Sequence, residues 1–153
     1  MKPRNQRSDS ITAALQAAQN VAEGPREPLP HTPIPEGARP FWDAIMRNKP
    51  RDRWNDVDLA HAANLARCQF DIERLQQELD AEGDLVGDLF VGKLNPKHKL
   101  LETLHKRVAY LSRLIHVHTE ATVGRVQDAG NALQLERRVE SAGNVHRLIA
   151  RRA

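Results

Sequence analysis

Two segments of the chain repeat one apolar spacing, and that repetition limits the possible folds more than any other feature. Leu65, Cys68, Ile72, Leu75 and Leu79 fall three, four, three and four residues apart, and Leu101, Leu104, Val108, Leu111 and Ile115 do the same. A three–four alternation places side chains along one stripe of an α-helix, so each segment presents a seam. Asn55 and Asp56 are suited to cap the first helix, expected over about residues 56–82 and so roughly 40 Å long. Gly83 ends it. Asn95-Pro96 opens the second, as an Asn N-cap followed by Pro at the first helical position, and this helix is expected to reach about Val117. Ala60, Ala62, Ala63 and Ala66 leave room for another helix to come close near the start of the first. Two long helices with a compact connection predict an antiparallel helical hairpin.

The connection, residues 84–94 (DLVGDLFVGKL), predicts a small β-hairpin between the helices. Its expected form is a two-residue type II′ turn at Gly87-Asp88, flanked by Leu85-Val86 and Leu89-Phe90. These apolar side chains exceed what a ribbon in water carries alone, so a packing partner is expected, such as the same ribbon of another copy. Leu100 and Leu114 lie off the second seam, and a single hairpin buries little by itself. Self-association is therefore expected through residues 56–118. The apolar candidates are Leu65, Ile72, Leu75, Leu79, Leu85, Phe90, Leu101, Leu104, Val108, Leu111 and Ile115. The heptad spacing alone is as consistent with a monomeric hairpin.

The rest of the chain reads as appendages. Residues 1–39 are expected to form a flexible arm, with a short Ala-rich helix near residues 10–22 and a linker holding Pro25, Pro28, Pro30, Pro33 and Pro35. Residues 40–55 predict a short helix with Pro40 at its first position and an apolar stripe of Phe41, Trp42, Ile45 and Met46, stopped by Pro50. Residues 119–153 read as a basic C-terminal tail, partly mobile. The fold class is mainly α. Aromatic residues make up only 4% of the chain, and an Ala/Leu-type interior argues against a large β-sandwich.

Several chemistries are missing. No apolar run is long enough to span a membrane, and the basic N-terminus lacks the apolar core of a secretory signal. Cys68 stands alone, which excludes an intramolecular disulfide or a Cys-rich zinc module and suits a reducing cytoplasm. The glycines fit no phosphate-binding loop. His116 and His118 at a helix end point to different faces with no third ligand placed near them, so neither a metal nor a cofactor is expected. No nucleophile–base grouping is defensible, and a non-enzyme is expected.

Charge is what remains. The formal net charge is +3 and the sequence pI about 9.3, a mild excess that permits nucleic-acid binding without proving it. Its distribution says more. Arg39, Arg47, Lys49, Arg51 and Arg53 cluster around a turn, and Lys93 and Lys97 lie before and at the start of a basic helix. Arg137 and Arg138 lie in the tail, while the first long helix is acidic. These cations are the candidate DNA contacts, although ordinary surface cations around a loop would look the same. The turn from Lys49 to Asn55 is longer than that of a strict helix-turn-helix. Lys97 and Lys99 sit in a first helical turn, where the dipole disfavours cations; an anionic neighbour would explain them.

The order of parts resembles the small terminase subunits of tailed bacteriophages. The resemblance spans about residues 38–120 and is carried by FWDAIM, by WNDVDLAHAANLARCQFDIERLQQEL, by the glycine-containing ribbon and by NPKHKLLETLHKRVAYLSRLI. It implies a non-catalytic DNA-recognition protein that assembles as a ring in the host cytoplasm. Such a protein binds double-stranded viral DNA near the packaging start and delivers it to a large terminase subunit with ATPase and nuclease activity. The ring would be built by 56–118, with DNA held by the basic segments. One departure is His116-Val117-His118-Thr119, where such sequences commonly carry a glycine-containing stop. Two other readings fit the residues: a helical scaffold or adaptor that binds only protein, and a small DNA-binding transcriptional regulator, expected to be a dimer on a palindromic site.

Overall fold

The computed structural model describes residues 11–87, 92–117 and 133–142. These are mainly helical: α1 (Ile11–Glu23), α2 (Arg39–Met46), α3 (Asp56–Glu82), α4 (Lys97–Leu114) and α5 (133–142). Short 3₁₀ turns form at Glu36–Ala38 and Arg51–Arg53. Strands β1 (Leu85–Val86) and β2 (Lys93–Leu94) pair antiparallel between α3 and α4. The chain divides into two compact units. One draws on Pro28–Ile45 and Asp56–His116, the other on Met1–Glu27, Met46–Asn55 and Val117–Ala153.

The first unit is the predicted helical hairpin. α3, with 27 residues, packs along α4, with 18. Leu65, Cys68, Leu75 and Leu79 are buried on α3, as are Leu101, Leu104 and Leu111 on α4 and Ile115 just beyond it. Ile72 and Val108 are half-buried. Both seams are thus covered within a single chain. Ala62, Ala63 and Ala66 are fully buried, and their small side chains let a neighbouring element come close. Asp56 and Asp58 in the first turn of α3 suit the positive end of its dipole.

Asn95 joins the two helices. It is almost fully buried, and its Oδ1 accepts the Lys97 N–H at 3.1 Å, which caps α4. Its Nδ2 donates back to Glu82 Oε2 at 3.1 Å and to the Gly83 carbonyl at 3.3 Å. Its backbone N–H donates to the Asp84 carbonyl at 2.8 Å. One residue therefore ends α3 and starts α4 through its side chain and closes the neck of the ribbon through its backbone. Gly83 makes the exit possible: its φ is +85°, a region costly for residues with a Cβ, while its N–H still reaches the Leu79 carbonyl.

The ribbon differs from the sequence expectation. Leu85 pairs with Leu94 and Val86 with Lys93, so residues 87–92 form the connection and Leu89-Phe90 is not the partner of β1. At the neck, next to the Leu85–Leu94 pair, the Asn95 N–H ties the start of α4 to the Asp84 carbonyl. Residues 88–91, including Phe90, lie outside the described residues. Helix α4 also ends earlier than expected, at Leu114. His116 takes the left-handed conformation there, with φ at 54°. It occupies the position where a glycine stop is usual, and histidine adopts this region more readily than most side chains.

Part of the proline-rich stretch lies along α3. The Arg67 guanidinium donates to the Pro33 carbonyl. Gly37 lies so close to the Phe70 ring that a Cβ there would clash with it. Among the described residues no helix is long and apolar enough to cross a membrane.

The junction at Asn95 has a measurable consequence. Asn95→Ala removes the cap of α4 and the bonds to Glu82 and the Gly83 carbonyl, so it should destabilise the fold by about 1 kcal/mol in denaturant titrations.

Candidate nucleic-acid interface

The second unit forms around the basic turn. Pro50 fixes an extended φ and its carbonyl accepts the Arg53 N–H at 3.0 Å, winding Arg51–Arg53 into a 3₁₀ turn. Trp54 follows and is buried, and the Lys49 ammonium sits 4.1 Å from the centre of its ring. The Trp54 carbonyl accepts from Arg26 at 3.3 Å.

The tight turn splays Arg51, Asp52 and Arg53 towards different partners. Arg51 Nε meets Glu23 Oε2 at 2.6 Å and its Nη1 donates to the Gly24 carbonyl at 3.0 Å, so this arginine fastens the turn to the end of α1. Asp52 accepts from Asn20. Arg53 is exposed and reaches Asp52 only at 3.8 Å. Arg47 is exposed, with no carboxylate partner among the described residues.

Asn20 is the buried polar centre of this unit. Its Nδ2 donates to Asp52 Oδ1 at 3.0 Å and to Glu136 Oε1, on α5, at 2.5 Å. Gln16 donates to its Oδ1 at 3.1 Å, which fixes the orientation of the amide. Burial raises the Glu136 carboxyl above the ordinary carboxylate range; its bond to Asn20 opposes that shift and the nearby Asp52 charge adds to it. On α5 itself Arg137 and Arg138 are exposed.

In the hairpin unit most candidate cations are engaged. Arg39 pairs with Asp43 at 3.1 Å. Lys97 lies between Glu78 at 2.8 Å and Glu82 at 2.6 Å. These carboxylates are the anionic neighbours that its place in a first turn called for. They hold the lysine above its usual pKa, and the Lys97 bond holds Glu82 below its own. Lys106 pairs with Glu102 at 2.6 Å. Burial pushes the Cys68 thiol up, while a bond from Arg107 pulls against that. Lys93 is exposed on β2.

The candidate cations therefore sort by partner. Arg47, Lys93, Arg137 and Arg138 are exposed and Arg53 is loosely held. Lys49 lies over an indole, and Arg39, Arg51 and Lys97 are tied to carboxylates. The sequence reading missed Asn20, Asp52 and Glu136, whose bonds span 32 and 116 residues and leave no local pattern. His118 lies outside the described residues, and among those described no three His, Cys, Asp or Glu side chains are grouped to hold a metal.

One unit is a long helical hairpin with a two-stranded ribbon, the other carries exposed cationic side chains on short elements, and the protein is mainly helical. A model of the Hendrixvirinae small terminase family matches residues 1–153, and the chain belongs to that family. It is 31% identical over 141 residues to the small terminase subunit of Enterobacteria phage HK97, an alignment covering 92% of this chain and 88% of that protein. Membership carries a role in phage genome packaging.

The raised carboxyl of Glu136 sets a pH dependence. Docking of α5 favours the protonated form, so it should be firmest below the ordinary carboxylate range and weaken as pH rises through the raised value. Hydrogen exchange at 133–142 should slow, relative to the intrinsic rate, on acidification, and Glu136→Gln should flatten that dependence.

Proposed function

We propose that the chain is the non-catalytic DNA-recognition subunit of a phage terminase. Copies assemble into a homo-oligomeric ring, bind double-stranded viral DNA near the packaging start and deliver it to the large ATPase/nuclease subunit. The observation that supports DNA contact is the division among the cations. Arginines already fastened to carboxylates have little left for a phosphate, whereas Arg47, Arg53, Arg137 and Arg138 are exposed and, among the described residues, are loosely held or have no carboxylate partner. A few phosphate contacts per copy, repeated around an assembly, add up by multivalency.

Support for assembly comes from α4. The seam at Leu101, Leu104, Val108, Leu111 and Ile115 is taken up with α3. One residue earlier runs a second stripe with the same spacing: Leu100, Thr103, Arg107, Tyr110 and Leu114. Leu100 is 49% exposed, Tyr110 62% and Leu114 40%, and Leu85 and Leu94 on the ribbon are also exposed. The seam pairs α4 with its own hairpin partner, and the exposed Leu100, Tyr110 and Leu114 of the second stripe are left for a second copy.

Two measurements test this reading. The first is duplex-DNA binding across a salt series. Arg47→Ala with Arg53→Ala should weaken binding and lower the slope of log affinity against log salt by about 2 per bound subunit. Absence of salt-sensitive binding by the unaltered protein would leave a scaffold that binds only protein. The second is native mass. Tyr110→Asp with Leu114→Asp should reduce the subunit number while helix content holds, whereas Leu111→Asp should lose both. A dimer in the unaltered protein would favour the regulator, and a lone subunit would overturn the ring.

A further inference from the structure

Helix α5 carries Glu136, Arg137, Arg138 and Glu140, two charges of each sign. Free in solution, such a helix has no net attraction for a polyanion. Docking changes this. Glu136 turns inward to a buried amide, and Glu140, one helical turn on, is near enough to act on its charge. Arg137 and Arg138 leave the helix about 100° and 200° round from Glu136 and are exposed. The docked helix therefore hides one carboxylate and displays two guanidiniums.

The same amide fixes where those guanidiniums lie. Asn20 Nδ2 donates at once to Glu136 and to Asp52, which sits between Arg51 and Arg53. The two carboxylates meet across a single nitrogen, so the residues that follow them, Arg137 and Arg53, stand on adjoining segments. Two like charges this close repel. Gln16 orients the amide between them, the Arg51 backbone amide is near enough to favour the Glu136 carboxylate, and Arg53 approaches Asp52 at 3.8 Å.

We propose that α5 and the 3₁₀ turn grip the duplex phosphate backbone as one composite surface, with Asn20 as the positioning residue that holds the two parts together. This deepens the DNA-binding reading above and rests on it. Helix α5 contributes phosphate contacts only while docked. The junction at Asn20 therefore couples the C-terminal segment to the basic turn.

The test is affinity for a duplex at several salt concentrations, with Arg137→Ala and Arg138→Ala introduced in four backgrounds: unaltered, Asn20→Ala, Glu136→Ala and Glu136→Gln. Both Glu136 substitutions remove the same charge, and only glutamine can keep a bond to Asn20. In the unaltered and Glu136→Gln backgrounds, loss of the two arginines should weaken binding about tenfold or more and lower the salt slope by about 2. In the Asn20→Ala and Glu136→Ala backgrounds it should change affinity less than about twofold, with hydrogen exchange at 133–142 accelerated. Should Asn20→Ala unfold α1, the Glu136 pair decides alone. Equal losses in the Glu136→Ala and Glu136→Gln backgrounds would overturn the composite grip, as would no loss in the unaltered protein. In both cases the effect of Arg47→Ala with Arg53→Ala would still stand as evidence of DNA binding. Absence of any salt-sensitive binding would instead sink the functional reading beneath it.

Discussion

The burial of two leucine-type seams against each other is the interaction on which the hairpin unit depends. Two helices of unequal length have many ways to slide along one another, and apolar stripes alone discriminate poorly among them. Asn95 supplies the missing constraint. Its side chain bonds the end of α3 and the start of α4, and its backbone closes the ribbon. The register of the seams is thus fixed at one end, and the rest of α4 follows from there. Lys97, two residues on, falls between Glu78 and Glu82. The complementarity of the acidic and basic helices therefore acts through particular short contacts at the neck. These pairs are partly exposed, so they specify the register more than they stabilise it.

A different kind of constraint shapes the second unit. Short elements bury little apolar surface, and α1 buries only Ala17 and Asn20. Beside the buried Met46 and Trp54, polar bonds tie these elements together: Arg51 to Glu23 and Gly24, and Asn20 to Asp52 and Glu136. Bonds of this type weaken in salt or with a change of protonation, whereas a buried leucine seam does not. The two units therefore respond differently to the same solution.

The legible part of the sequence was the part with period. Helix α3 falls over Asp56–Glu82 as its caps and spacing predict, and the start of α4 follows from Asn95-Pro96. The ribbon was legible as a ribbon, but its register was not. A Gly-Asp pair resembles a tight turn, whereas the observed register pairs Leu85 with Leu94, next to the bond between Asn95 and Asp84. His116 concealed the end of α4, because a histidine in the left-handed region carries no glycine signal. For the candidate interface, composition found the cations but not their fates. Arg51 and Arg53 look alike in sequence, yet one is fastened to Glu23 while the other lies exposed. The junction at Asn20 was invisible because its partners are neither periodic nor local.

The second stripe of α4 bears on how folding and assembly are related in the proposed ring. A helix with one apolar stripe must choose between its hairpin partner and a neighbouring copy. Leu100, Tyr110 and Leu114 lie one residue before Leu101, Leu111 and Ile115, about 100° round the same helix. The two stripes adjoin without coinciding, so a neighbour can be engaged while the seam with α3 stays closed. Arg107 belongs to the outer stripe and lies near enough to Cys68 on α3 to act on its thiol. The geometry of any assembly is then inherited from the Asn95 junction, because that junction sets how α4 presents its outer stripe.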